Sequence, residues 1–357
     1  MRFIRGIDSL RALAIMGVIL THWAPGTLSK VPWGGIGVHF FFVLSGFLIT
    51  KILFESRIKV ESENGSYISL IKKFYIRRAL RIFPIYYLSI FVLLIFKNYT
   101  HIDFESALIY CLTYTTNFYF YKIGNWDGEI SHLWSLAVEE QFYFIWPCFM
   151  ILINKKYLFW VICLFLVFGL ASEYFYSTTP KGDLLPNTCF DGFALGALLA
   201  WVLVYKLEYK NRFYALSKII GISALILLLF ILFNNHIIIN IPQRFLTFLI
   251  SLWILSYVVF NSESKNPFFT FIFHNPFLLF LGKISYGMYL YHFILPQLLN
   301  TEIINKYFNP HLPDFFFVHH FKWLFFFENF IILIIVSWLS YVYIETRFLN
   351  LKKHFNT

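Results

Sequence analysis

Charge is what this sequence has least of. Asp, Glu, Lys and Arg make up 13% of its 357 residues, against about a quarter in a typical soluble domain. With 59% hydrophobic and 22% aromatic residues, there is too little polar surface to cover a soluble core of this size, which argues against a large soluble enzyme. Short alternating strands are lacking as well, which argues against a membrane β-barrel. Cysteine is scarce. Cys111, Cys148, Cys163 and Cys189 form neither a CxxC pair nor a metal-ligand spacing, so they read as small packing residues and no metal site is expected. Arg2 and Arg5 precede an apolar stretch as in a signal peptide. No small-x-small cleavage site follows, and Arg11 and His22 bracket the run, which therefore reads as a retained first helix.

What is present is a series of apolar runs, near 9–29, 34–55, 80–98, 132–153, 157–173, 189–205, 217–234, 243–260, 276–299 and 325–344. Each has about the length that crosses a bilayer as a helix. The expected fold is all-α, a polytopic integral membrane protein of about ten transmembrane helices, forming a single membrane-embedded domain over 1–350 with no appended soluble domain. The formal charge of +10 would suit a nucleic-acid binder. The basic residues instead sit in short loops between the runs, which is the positive-inside pattern, and no nucleic-acid partner is expected. With the N-terminus inside, the clusters at Lys51 to Arg78, Lys155–Lys156, Lys206 to Lys218, Lys265 and Arg347 to Lys353 are all cytoplasmic, and so are both termini. Residues 104–121 are apolar and aromatic too. Counting them as a span would reverse every later one, so they are expected to be interfacial or re-entrant on the outer side.

Ionisable groups inside a membrane are costly and mark function by default. Arg11 and His22 are eleven residues apart, about 16 Å at 1.5 Å per residue and close to three turns, so they share a helix face. Ser135 and Glu139 are four apart and also share a face. Glu140 points about 100° away from Glu139, so at most one of the two acids is expected to face a given cavity. His22, Ser135, Glu139 and Glu140, with His39, His132, Trp134, Asp191, Tyr286, Tyr289 and His292, fall in the outer half. The inner half holds Arg77, Arg78 and Arg81, with Arg11 and Lys283 at similar depth. Guanidinium forks bind phosphate oxygens bidentately. The same arginines also suit a helix end anchored at lipid headgroups, and an intramembrane histidine often only hydrogen-bonds a neighbouring helix. Taken together, the pattern reads as a cationic inner sub-site and a histidine-and-acid outer one.

Four stretches then resemble the membrane-bound acyltransferase-3 family: Arg11, ten residues, then His22, within Gly6-Ile7-Asp8-Ser9-Leu10-Arg11-Ala12; Phe41-Phe42-Val43-Leu44-Ser45-Gly46-Phe47-Leu48-Ile49; Arg78-Ala79-Leu80-Arg81; and Trp134-Ser135-Leu136-Ala137-Val138-Glu139. Asp191-Gly192-Phe193, the stretch Ser285 to His292, and Glu345-Thr346-Arg347 add weaker support. The resemblance implies transfer of an acyl group, usually acetyl, from acyl-coenzyme A to a hydroxyl of an exported or surface glycan such as lipopolysaccharide O-antigen, capsule or exopolysaccharide. The setting it implies is a bacterial inner membrane. Acyl-CoA is a co-substrate, and no tightly bound cofactor is expected.

The inner arginines, Arg77, Arg78 and Arg81, suit the phosphates of coenzyme A. His22 suits a general base, because an imidazole titrates near neutral pH. Glu139, or else His132, would orient it. Arg11 would fix the donor or balance a negative site, Ser135 could approach in space, and a covalent acyl-histidine is a second route. Trp134, Asp191, Tyr286, Tyr289 and His292 are acceptor-side candidates. Two other readings stand beside this one: a transporter or flippase, which would be expected to show inverted repeats and broken helices, and an acyltransferase using succinyl or another acyl group.

Overall fold

The computed structural model describes residues 4, 6–24, 32–100, 102–233, 243–299 and 322–355. Arg2, Arg5 and positions 25–29 of the first expected span lie outside the described residues. Among the described residues every regular element is helical. The long helices are α1 (Gly6–Trp23), α2 (Trp33–Ser62) and α3 (Tyr67–Ile95), then, after short α4 (Phe104–Leu112) and α5 (Thr116–Ile123), α6 (Leu133–Leu152), α7 (Leu158–Tyr176), α8 (Phe190–Tyr205), α9 (Lys210–Phe233) and α10 (Gln243–Phe260). Short α11 (Pro267–Phe273) leads into α12 (Pro276–Tyr291), and α13 (Ile294–Leu299) follows it. The last long helix, α14 (Lys322–Ser340), runs through a π-turn, Tyr341–Glu345, into α15 (Thr346–Leu351).

Among the described residues, eight helices are long and apolar enough to cross a membrane. α1 and α6 fall outside that group. They carry Asp8, Arg11 and His22, and Glu139, Glu140 and Gln141, so the side chains that lower their hydropathy are largely the ones singled out as functional candidates. The segment expected at the outer interface is two helices of 9 and 8 residues, broken around Tyr114, whose φ is +54°. Neither helix alone has the roughly 20 residues that a crossing needs.

α2 is the centre of the bundle and packs on α1, α6, α8 and α10. Its crossing with α8 is close because both helices lack a side chain there. A methyl group at Gly46 would overlap the Phe193 carbonyl, and one at Gly196 would overlap the Val43 carbonyl. Beside this crossing Phe142 stacks on Phe193 with centroids 4.0 Å apart.

At the end of the bundle richest in lysine and arginine, α2 runs on past its packed part. Arg57 is buried there, bonds Glu61 at 2.9 Å, and donates to the Met150 and Ile153 carbonyls at 2.9 and 2.7 Å. A cation on these carbonyls satisfies orphan acceptors and complements the negative end of the α6 dipole. Glu61 also accepts from Tyr67 and pairs with Lys155. This network ties α2, α3 and α6 together beneath the polar interior.

Candidate active site

The site starts from one turn of α3. Arg78 and Arg81, three residues apart, both face a cavity between α1, α2, α3, α6 and α12. Among the described residues neither has a carboxylate within ion-pair distance. The Arg78 guanidinium lies over the rings of Tyr143 and Phe74, 5.2 and 5.7 Å from their centroids, at cation–π range. Arg11 joins them from α1, with Asp8 at 3.1 Å as its counter-charge. Arg77, on the same turn, points elsewhere and donates to the Phe355 carbonyl at 2.9 Å. It lines neither this cavity nor the next one, so the sequence-based trio divides into two facing residues and one that ties down the C-terminal segment.

The space within the cavity, its open mouth included, is about 830 Å³. A second cavity, towards the basic end, shares Arg11, Leu48, Arg78 and Arg81 with it and adds Asp8 and Lys51. The three arginines therefore stand between two spaces, one open towards the basic end and one reaching up between α6 and α12.

The upper space is polar on one side. Glu139 accepts from Tyr143 at 2.7 Å, and Tyr143 also lies 2.9 Å from Ser45. A phenol has one proton. With that proton given to Glu139, the Ser45 hydroxyl is left to donate to the Tyr143 oxygen or to Glu139 itself. Glu139 is thus held by Tyr143, one turn on in its own helix, with Ser45 of α2 beside it, and not by His22. Glu140 lines the same cavity, which corrects the expectation that only one of the two acids would. The cavity is broad enough to meet both, even though their directions differ by about 100°. Further up, Tyr289 donates to the His132 carbonyl at 2.8 Å, and Ser135 lies 2.6 Å from the same phenol. By the same count, Ser135 donates to Tyr289 and keeps its lone pairs for other partners. Tyr286 donates to the Ile82 carbonyl at 3.0 Å and forms part of the cavity wall.

At the far end, three imidazoles from α1, the start of α6 and the end of α12 meet around one phenylalanine. His22 lies 4.5 Å from the Phe293 ring and 5.4 Å from His292. His132 stacks on Phe293 at 5.0 Å and 4°, and is 5.0 Å from His292 and 5.5 Å from Tyr289. His132 and His292 are buried, whereas His22 is exposed. Tyr289 belongs to both regions, because it lines the arginine cavity and also touches the histidine group.

Of the acceptor-side candidates, His292 lies in the histidine group beyond the cavity, and Trp134 and Asp191 join neither region. Trp134 packs edge-on against Phe42 at 5.9 Å. Asp191 is fully buried at the start of α8, beside Gly169 of α7. Near it, Arg244 pairs with Glu173 at 3.2 Å and donates to the Asp183 and Thr188 carbonyls. Sequence reasoning missed this network, although Glu173 at the end of one apolar run and Arg244 at the start of another were its visible signal. It also missed Tyr143, which the i, i+4 spacing from Glu139 would have found. Among the described residues no group of three or more His, Cys, Asp or Glu side chains could hold a metal ion.

Residues 4–345 match the acyltransferase-3 family, described as an acyltransferase domain. The chain belongs to that family. Among curated relatives, a Staphylococcus aureus (strain COL) protein provisionally named an O-acetyltransferase is 31% identical over 379 residues, covering 98% of this chain and 58% of its own length. The peptidoglycan O-acetyltransferase OatA of Listeria monocytogenes is 31% identical over 335 residues, covering 82% of this chain and 49% of its own. A Bacillus subtilis protein provisionally named a peptidoglycan O-acetyltransferase is 40% identical over 167 residues, 42% of this chain and 24% of its own. The chain thus spans about half the length of the curated relatives it matches. No solved structure matches. As a member of the acyltransferase family, the chain has its Arg-x-x-Arg pair, Ser135 and Glu139 on one cavity, with His22 beyond Tyr289.

Proposed function

We propose that this chain is an O-acyltransferase of a bacterial cell membrane. It moves an acyl group, most simply acetyl, from acyl-coenzyme A to a hydroxyl of an exported or cell-surface glycan. The observation that carries this reading is the Arg78–Arg81 face, without an ion pair among the described residues, standing between two cavities, one towards the basic end and one leading up to Ser135, Tyr289 and the histidines. With no carboxylate at ion-pair distance among the described residues, these guanidinium forks keep donors open to an anionic ligand. The 3′-phosphate and diphosphate of coenzyme A supply that charge, and the pantetheine arm is thin enough to carry a thioester past Arg11. The names of the relatives make a peptidoglycan-type glycan the first acceptor to try, and lipopolysaccharide, capsule and exopolysaccharide offer the same hydroxyl chemistry.

In this reading His22 takes the proton of the acceptor hydroxyl. The oxygen attacks the thioester carbonyl, the C–S bond breaks, and the imidazolium returns its proton to the departing thiolate. Ser135, whose proton goes to Tyr289, keeps its lone pairs on the cavity wall and would accept from a hydroxyl of the acceptor, with Tyr289 beside it. Glycan mass spectrometry of strains with and without the gene tests the proposal. A gain of one acyl unit is expected, and an unchanged glycan alongside a well-expressed chain contradicts it.

The associated topology is ten crossings with both ends in the cytoplasm, so that the basic end meets cytoplasmic acyl-CoA. Single cysteines replacing Lys206 or Lys265 should react with an impermeant maleimide only after the cells are opened. Labelling of intact cells at either position reverses the orientation.

A further inference from the structure

His292 is fully buried, at the end of α12. Its Nδ1 lies 2.6 Å from the Tyr289 carbonyl oxygen. A carbonyl can only accept, so Nδ1 carries the hydrogen and Nε2 is left with a bare lone pair. Nε2 is buried and has no hydrogen-bond partner among the described residues, a costly state for a polar atom in a membrane interior. The titratable side chains facing it are His22 from α1, His132 from the start of α6 and Tyr289 from its own helix. Tyr289 has spent its proton on the His132 carbonyl, and His132 lies flat on Phe293. His22 is the exposed one of the three histidines, and so the one able to meet a substrate. Its ring centroid is 5.4 Å from that of His292, which leaves room for an N–H···N bond of about 3 Å between facing ring nitrogens.

We propose that His292 is the positioning residue of His22. Its Nε2 accepts the hydrogen on one His22 nitrogen, which fixes the His22 tautomer, presents the other nitrogen unprotonated to the acceptor hydroxyl and shares the charge that forms there. This is the part a carboxylate plays in hydrolytic triads, and it is the part the sequence assigns to Glu139, which bonds Tyr143 instead. The proposal rests on His22 being the base.

Two substitutions in the full-length chain separate it from a packing role. His292→Asn keeps a donor near the Nδ1 position for the Tyr289 carbonyl and removes the Nε2 acceptor. Its kcat should fall on the order of 10- to 100-fold, as when an orienting partner is lost, with KM for acetyl-CoA and Tm unchanged. His292→Gln places an amide oxygen near the Nε2 position and should recover part of that loss. A packing role predicts the reverse, an active His292→Asn, and that result overturns the proposal. Should His292→Asn not accumulate in membranes, His292→Gln decides alone: retained activity supports the pairing, and lost kcat at wild-type Tm contradicts it. An inactive His22→Gln beside a normal His292→Asn removes only this pairing, whereas a normal His22→Gln removes the base itself.

Discussion

His22→Gln should give a folded, membrane-inserted protein that transfers almost no acyl group. The substitution keeps hydrogen-bonding capacity and nearly the same volume, but an amide takes no proton near neutral pH. A general base contributes roughly 10²–10⁴-fold, and the loss of kcat should be of that order. A histidine that only packs on Phe293 would behave differently: its loss would lower expression or Tm and leave kcat per folded molecule alone. Comparing glycan acylation with chain abundance in the same membranes separates the two roles. Near-normal acylation in a well-expressed His22→Gln strain passes the role to His132 or Glu139.

The second large effect concerns the donor. Arg78→Ala and Arg81→Ala should each raise KM for acetyl-CoA about 10- to 150-fold, the roughly 1.5–3 kcal/mol of a charge-assisted hydrogen bond. The apparent affinity for the glycan should change far less. Lysine at either place should restore only part, because the bidentate fork is gone. Arg77→Ala should be milder, since that guanidinium is engaged with the Phe355 carbonyl. Unchanged KM in both Arg78→Ala and Arg81→Ala reduces the pair to a helix-end anchor.

The long elements were legible in the sequence because a membrane imposes length and hydropathy on each crossing, and the ten apolar runs reappear as α1–α3, α6–α10, α12 and α14. Facing relations within one helix were legible too. The i, i+3 rule puts Arg78 and Arg81 on one cavity, and the i, i+4 rule does the same for Ser135 and Glu139. Relations between helices were not legible. Nothing in the spacing of residues 22, 132 and 292 shows that three imidazoles meet around Phe293. The sequence could not show that Glu139 bonds Tyr143 and not His22, because both are plausible partners until α1 and α6 are placed. Asp191 looked like a site residue for being an acid inside an apolar run. Its neighbourhood with Arg244 and Glu173 depended on how α7, α8 and α10 pack.

The proposed reaction joins release of coenzyme A to formation of an acyl ester on a glycan. Its most direct test uses membrane vesicles that contain the chain and are supplied with labelled acetyl-CoA on the face carrying the basic end and glycan on the other. Free thiol and label on the glycan are measured together. Both should rise in equal amounts, and both should vanish in His22→Gln. Passage of glycan or label across the membrane with no thiol released would contradict it, and would make the arginine-lined interior a transport route.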